Sequence, residues 1–454
     1  MRICSHAGAV VILASALFVS AGRAQEATPA PPAKDAIVQQ MQELQEEVKS
    51  LRAEVAALKQ TRATGPRSIA EVASASMPML PASSPEPVLQ EAVPAAAATP
   101  APAPPSISGL LGATTISGFV DAYYGFNSNH PPTRQNGFRN FDVNTNQFGL
   151  NMIELIADRP VDTTNRLGYH VALAFGQAIN LVNSANGETG FDQYLKEGYL
   201  EYMAPIGKGL QINVGKFVTP AGAEVIESKD NWNYSRSLLF SWAIPYFHFG
   251  ASAKYAFNSK FAVTGYLMNG WNNSIDNNTA KTTGFSAAWT PNAKFSVIET
   301  YLAGPEQTND NGNWRQLTDT VVAYNPTAKL SFIANYDYGH EDIGPQFELP
   351  YKVATWSGLA GYAKYAPNDR WAFALRGEYF NDDQGWSTGT KQGLSEGTAT
   401  IQRTFGGKLI SRLEFRRDMT GAQTFLRGPL GTPTGGQNTV TLGLIYAFTS
   451  ADLK

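Results

Sequence analysis

The residues best suited to act on a solute fall into two groups, the first mainly acidic and the second basic. The first group lies in 218–246, between two strand-like stretches, and consists of Glu224, Glu227, Asp230 and Arg236. The second group is a set of arginines nearer the C terminus, namely Arg376, Arg412 and Arg416. Charged side chains that line a pore tune its ion preference and orient polar solutes. The pattern therefore predicts a selectivity site in which the acids of 218–246 face these arginines across water.

Other chemistry finds little support in the sequence. Gly393 to Gly397 matches the G-x-S-x-G pattern of hydrolases, but that motif needs a strand, a sharp turn and a helix, and no helix follows here. The five histidines are scattered, and neither an HExxH motif nor an Asp-rich calcium loop occurs. His170 and His248 fall on predicted water-facing strand sides. We therefore predict no catalytic residue, no metal site, no cofactor and no enzymatic activity.

The stretch 218–246 has no regular period, although alternating strands precede and follow it. Loops longer than about 12–15 residues are usually functional or disordered, and this one is too aromatic for disorder. Two interpretations of its aromatic residues remain open, a sugar-stacking surface or packing of the loop against a wall: Trp232, Tyr234, Phe240 and Trp242. We expect the loop to fold into the mouth of a barrel and to narrow its pore.

The elements around this loop read as sixteen short strands. They lie near 116–126, 148–157, 167–176, 194–204, 210–217, 247–257, 261–269, 283–290, 294–302, 316–325, 329–339, 352–365, 370–380, 393–403, 408–417 and 439–448. Their connections alternate between short Asn-, Pro- or Gly-containing turns and long polar loops. This asymmetry is typical of transmembrane barrels. The fold class predicted is all-β, a transmembrane antiparallel β-barrel of about 16 strands over residues 115–448, with a C-terminal tail at 449–454.

The strand faces agree with a barrel in lipid. In 371–379, Trp371, Phe373 and Leu375 share one face, while Arg376 and Glu378 share the other. An apolar face directed to lipid and a polar face directed to water are expected for such a barrel. An even strand count brings both ends of the barrel to the same side of the membrane.

The N-terminal region carries export and assembly signals. Residues 1–24 read as a signal peptide, with Arg2 before an apolar run and small residues before the predicted cleavage after Ala24. Removing this segment takes away Cys4, the only cysteine, and leaves 33 basic against 38 acidic residues. The mildly acidic mature chain argues against a nucleic-acid partner.

Between the signal and the barrel lie a spacer at 25–33, a heptad segment at 34–60 and a Pro/Ala-rich disordered linker at 61–114. The heptad seam is formed by Ile37, Met41, Leu44, Val48, Leu51, Val55 and Leu58. We predict a periplasmic coiled coil. Dimer and trimer remain open, as does a lone amphipathic helix that rests on a protein surface. Contact of 34–60 with peptidoglycan or a periplasmic partner is a further possibility.

Residues from about 106 to 448 resemble the β-barrel porin family that includes the OmpL-like porins of Gram-negative bacteria. The resemblance is most specific at Gly215-Lys216-Phe217, Ser235-Arg236-Ser237 and His248-Phe249-Gly250. It implies passive diffusion of small polar solutes or ions across the outer membrane. It also implies that outer-membrane lipid surrounds the barrel. The alternative function is that of an outer-membrane structural or tethering protein, whose coiled coil binds the cell wall or a periplasmic partner. A sixteen-stranded barrel leaves an aqueous lumen, which favours the channel.

Overall fold

A computed structural model describes residues 114–184 and 192–450. The predicted signal peptide, the spacer at 25–33, the coiled-coil helix at 34–60 and the linker up to residue 113 lie outside the described residues, as do residues 451–454 of the predicted tail. These assignments stay predictions. The described residues contain no helix that is both long enough and apolar enough to cross a bilayer.

The dominant element is a closed barrel of sixteen antiparallel strands. Its strands are β1 (Thr115–Asn127), β2 (Gln147–Arg159), β3 (Leu167–Phe175), β4 (Leu195–Ala204), β5 (Leu210–Val218), β6 (Phe247–Asn258), β7 (Phe261–Met268), β8 (Thr282–Asn292), β9 (Phe295–Pro305), β10 (Trp314–Tyr324), β11 (Leu330–Asp342), β12 (Val353–Asn368), β13 (Trp371–Asp382), β14 (Gln392–Phe405), β15 (Leu409–Thr420) and β18 (Gly436–Thr449). The predicted fold class and strand number are confirmed.

Smaller elements lie in the connections. A separate hairpin pairs β16 (Phe425–Arg427) with β17 (Thr432–Thr434). The helix α1 covers Gln177–Ser184, and a π-helical turn covers Leu239–Ala243. Short 3₁₀ turns occupy Asp192–Tyr194, Ser228–Asp230 and Pro345–Phe347.

The barrel strands pair in chain order, with β15 next to β18 because β16 and β17 form their own hairpin. The strand β1 closes the barrel against β18, from Ser117 opposite Thr449 to Asn127 opposite Thr439. Several strands run further than their apolar alternation indicated. The strand β11, for example, continues through the polar residues His340, Glu341 and Asp342. Backbone hydrogen bonds between strands do not depend on side-chain polarity, so the ladder extends past the hydropathy signal.

The two faces of the sheet differ as expected. On β13, Leu375 and Tyr379 are exposed on the outside, whereas Arg376 and Glu378 are buried on the inside. The connections also differ between the two ends of the barrel. At one end they are tight, as at Gly406 and Gly407, whose φ angles of 56° and 72° favour glycine. The long connections, including 219–246, all lie at the other end.

Candidate functional site

The segment 219–246 joins the adjacent strands β5 and β6 but is packed against strands far from them. It leaves β5 through Pro220 and Gly222, whose φ of 96° allows the sharp change of direction. Much of it is buried, including Ser235 and Arg236. Its hydrogen-bond partners lie on the buried faces of β1, β11, β13, β14 and β15.

Arg376 of β13 makes an ion pair with this segment, in direct contact and not across water. Its Nη1 lies 2.7 Å from Glu224 Oε1 and donates to the Ser235 carbonyl at 2.7 Å. Its Nε lies 2.6 Å from Oε1 of Glu396 on β14. The Arg376 and Glu224 side chains are 0% and 5% exposed. The guanidinium is therefore shared between the segment and the barrel wall, away from bulk water.

Arg412 and Arg416 of β15 bind the segment through its backbone. Arg412 donates from Nη1 to the Ser228 carbonyl at 2.5 Å and from Nη2 to the Asn231 carbonyl at 2.5 Å. Arg416 donates from Nη1 to the Arg236 carbonyl at 2.6 Å, and its Nε lies 2.7 Å from Asp418 Oδ1. Both side chains are fully buried. These two arginines thus contact the segment 219–246 through its carbonyl groups.

The remaining predicted residues have other partners. Arg236 donates to the carbonyls of Tyr234 and Val225, at 2.5 and 3.1 Å, and so ties the segment to itself. Glu227 pairs with Lys196 of β4. Asp230 pairs with its neighbour Lys229 at 2.5 Å, and its side chain is 52% exposed. Of the three predicted acids, Asp230 is therefore the most open to water.

Three acids that were not among the predicted site residues accept hydrogen bonds from the segment. Glu414 accepts from the Tyr234 and Ser235 amides, at 2.5 and 3.0 Å. Glu378 accepts from the Leu238 amide at 2.5 Å and from the Leu239 amide at 3.1 Å. The strand alternation put both acids on the arginine-bearing face, and that was the available signal.

The third acid, Asp121 of β1, accepts from the Tyr234 hydroxyl at 2.8 Å and from the Ser228 hydroxyl at 2.5 Å. The alternation of inward- and outward-facing residues along β1 did not distinguish Asp121 from other inner-face residues. Its role follows from a contact between positions more than one hundred residues apart. Only the folded arrangement of the segment brings these groups together.

The aromatic residues of the segment are mainly packed. Tyr234 and Phe240 are buried, and the Tyr234 ring lies 5.7 Å from the ring of Tyr123 on β1. Trp232 is edge-on to Tyr362 at 6.5 Å. Trp242 donates its indole N–H to the Phe138 carbonyl at 3.2 Å. These contacts favour packing over a sugar-stacking surface for Tyr234 and Phe240.

The inner face of β6 and β7 has a different character. Ser252 of β6 and Thr264 of β7 are half-buried, and Lys254 is exposed although it lies on the inner side of the barrel. Within the described ranges, no three His, Cys, Asp or Glu side chains are grouped so that they could hold a metal ion.

A closed sixteen-stranded barrel with an apolar exterior and a polar interior defines the class of outer-membrane β-barrel channels. Residues 113–448 match the model of the beta-barrel porin-2, OmpL-like family, and the chain belongs to that family. No curated protein matches this sequence. The expected resemblance to OmpL-like porins is confirmed, and with it the outer membrane as the location of the barrel.

Solved outer-membrane proteins share the fold at low sequence identity. The trimer form of OmpT from Vibrio cholerae is 12% identical with a TM-score of 0.50, over 74% of this chain and 99% of that chain. The outer membrane channel DcaP of Acinetobacter baumannii is 10% identical with a TM-score of 0.50, over 74% of this chain and 97% of that chain. These similarities concern the architecture of the barrel.

Proposed function

We propose that this protein is a non-enzymatic porin, a water-filled channel for passive diffusion of small polar solutes that is narrowed by the segment 219–246. One observation carries the proposal. The segment joins neighbouring strands, yet its partners include Asp121 on β1 and Glu378 on β13. A segment that bonds to the inner faces of distant strands of a closed barrel crosses its interior. The lumen of a sixteen-stranded barrel would otherwise be wide.

The buried charges support a fixed position for this segment. Arg376, Arg412 and Arg416 each bond to it, and Glu378 and Glu414 accept from its amides. Removing one partner of a buried, hydrogen-bonded charge is strongly unfavourable, so the segment is held in one arrangement. We propose that these residues shape the constriction, and that Asp230 contributes charge to the water path.

Conductance in planar bilayers tests this function. Wild-type protein should form discrete ion-conducting steps, and deletion of 222–240 should raise the single-channel conductance because the lumen widens. The matched control is deletion of 428–431, at the exposed tip of the β16–β17 hairpin. That deletion should leave the conductance unchanged. Absence of wild-type conductance would instead favour the tethering function.

We further propose that barrels associate through the outer face of β9 and β10. Glu299 lies mid-strand in β9, at the same register level as the outward-facing Thr320 and Tyr336. Its carboxylate accepts a hydrogen bond from Thr320 Oγ1 at 2.6 Å, and the Tyr301 hydroxyl donates to Gln316 on this face at 2.7 Å. An ionisable side chain facing lipid at this depth destabilises a barrel, whereas contact with another protein accommodates it.

A second copy of the chain is the proposed partner, as a dimer or a trimer, because the predicted periplasmic coiled coil at 34–60 would bring copies together. The mass of the protein in mild detergent, measured by light scattering, tests whether this face is the interface. If β9 and β10 form the interface, Glu299→Leu with Gln316→Leu lowers the oligomer mass. If the face meets lipid, the same change stabilises the barrel and leaves its mass unchanged. Deleting 34–60 separately measures the contribution of the helix.

A further inference from the structure

A small aromatic pocket lies at the end of the barrel that carries the long connections. Its volume is about 240 Å³, and its lining includes Trp242, Trp271, Trp356, Trp386 and Arg315. These residues come from the segment 219–246, from two further connections and from the first residues of β12 and β10. Four indoles from such separate parts of the chain meet at one place, outside the charged contacts described above.

Three of the four indole rings, those of Trp242, Trp356 and Trp386, are held in place by hydrogen bonds to the protein. Trp356 donates its indole N–H to the Ala243 carbonyl at 2.9 Å, and Trp386 donates to Glu341 Oε2 at 2.7 Å. The rings of Trp271 and Trp356 are edge-on, with their centroids 6.2 Å apart and an interplanar angle of 87°. Rigid walls of this kind bind a flat ligand without a further loss of side-chain freedom. The pocket is therefore organised before any ligand arrives.

The charge in the pocket is already neutralised. Nε and Nη2 of Arg315 both lie 2.6 Å from Glu341 Oε2. The Arg315 guanidinium also lies over the rings of Trp271 and Trp356, 4.7 and 5.9 Å from their centroids. An anion would have to compete with Glu341 for this arginine. A cation would have to displace the arginine from its position over the indole rings. The arrangement favours an uncharged ligand.

Polar groups at the pocket complement the aromatic walls. Ser241, Asn272 and Ser387 also line it. Within residues 114–184 and 192–450, neither the Trp271 indole N–H nor the Ser241 hydroxyl makes a hydrogen bond, so both are available to a ligand. An uncharged ring with one apolar face and a rim of hydroxyl groups matches this set. Ligand sites for drug-sized molecules have volumes of about 300–1,000 Å³, so this smaller pocket suits a single ring.

We propose that this pocket is a binding site for one ring of a neutral sugar, placed where solutes approach the barrel from the side of the long connections. The inference rests on the proposed porin function and names the class of solute that is held before diffusion. The apolar face of the ring packs on the indoles, and its hydroxyl groups meet Ser241 and the Trp271 indole N–H.

Three probes with the same ring and different charges test the proposal: D-glucose, D-glucosamine and D-glucuronate. Each is added to full-length protein in a planar bilayer on the side of the long connections, at matched ionic strength. Glucose should reduce the ion current in a saturable manner, with a half-blocking concentration at least several-fold below those of the charged sugars. Equal block by all three sugars would overturn the proposed selectivity.

Matched tryptophan variants assign the effect to the pocket. Trp271→Ala with Trp386→Ala should raise the half-blocking concentration of glucose at least tenfold. Trp314→Ala, at an exposed tryptophan near the same end of the barrel, should leave it unchanged. An unchanged value in the double variant would overturn the site.

Calorimetric titration of glucose into detergent-solubilised protein separates this proposal from the porin function. If the wild-type protein binds glucose with heat that the double variant loses, but shows no conductance, the channel function is contradicted and the binding site is supported. If the wild-type protein conducts ions but shows neither glucose binding nor block, the channel function is supported and the binding site is contradicted. The circular dichroism spectrum of each variant should match that of the wild type, and Trp271→Phe provides a second variant that retains an aromatic face.

Discussion

The two sides of the barrel interior differ in how they use charge. The wall formed by β13 to β15 carries Arg376, Arg412 and Arg416, all buried beneath the segment 219–246. The wall formed by β6 and β7 presents Ser252, Thr264 and the exposed Lys254. We call these the covered wall and the open wall. Charge on the covered wall holds protein in place, whereas charge on the open wall faces water.

This difference teaches that a charged residue on a lumen face has two possible roles, and that burial decides between them. A buried guanidinium needs several acceptors in fixed positions, so it specifies one placement of the segment. An exposed ammonium group is hydrated and screened by salt, so it acts on passing ions and contributes little to stability. Substitutions on the two walls should therefore produce effects of different kinds.

The largest effect is expected from removing Arg412. Arg412→Met leaves the carbonyls of Ser228 and Asn231 without their donor in a buried site, and we expect the free energy of unfolding to fall by about 3–5 kcal/mol. Lys254→Met, on the open wall, should change it by less than about 0.5 kcal/mol. Urea titration of both variants in the same detergent measures the difference. Similar losses in the two variants would remove the distinction between the walls.

A second prediction concerns pH and a connection beyond the strands. Glu306 follows β9, where it accepts hydrogen bonds from the Trp271 amide at 2.7 Å and from the Thr282 hydroxyl at 2.5 Å. Burial raises the pKa of Glu306 from 4.5 to about 7, although Arg315 nearby acts in the opposite direction. Glu224 on the covered side instead has a direct arginine partner.

Because the folded protein holds this proton more tightly than the unfolded chain, the free energy of unfolding should fall as pH rises from about 4.5 to about 7. The decrease from this group amounts to at most about 3.4 kcal/mol, and it should level off outside that window. Glu306→Gln should flatten this part of the stability curve in urea titrations across pH. A variant that keeps the full wild-type slope would show that another group is responsible.

The smallest effect is expected on ion preference. Asp230→Asn removes an exposed acid and should shift the reversal potential in a salt gradient toward anions. A unit charge in water acts with about 1 kcal/mol at 4 Å, so the permeability ratio should change by less than about fivefold. Glu224→Gln should lower stability with a smaller shift, because its side chain is buried against Arg376. The reverse order of shifts would contradict the assignment of these two acids.

The sequence predicted the barrel better than the site. Two-residue alternation and the succession of turns located all sixteen strands, because lipid on one side and water on the other impose a regular pattern. It also assigned Arg376 and Glu378 to the inner face. It carried no information on which inner-face groups the segment 219–246 would cover, since that segment has no period.

The pairing of Glu227 with Lys196 and the bonds from Arg412 to backbone carbonyls illustrate the limit. Every residue has a backbone carbonyl, so residue types do not indicate which carbonyls accept a hydrogen bond. A contact between positions far apart in the chain cannot be predicted from the residues next to either one. The sequence-based hypothesis placed acids opposite arginines across water. The structure brings Glu224 to Arg376, while the role of the other charged residues in ion preference remains a prediction.

The seam between β1 and β18 has a consequence for how the barrel assembles. Across it, the Ile116 amide donates to the Ser450 hydroxyl at 3.1 Å, although the two residues are 334 positions apart. Joining chain ends over that distance costs about 5 kcal/mol of loop entropy, and contacts of such long range slow folding. Until β18 arrives, β1 and β15 each present an unpaired edge, which hydrocarbon does not tolerate. A chain that lacks β18 should therefore be unable to settle in the bilayer, which makes insertion an all-or-none event that waits for this strand.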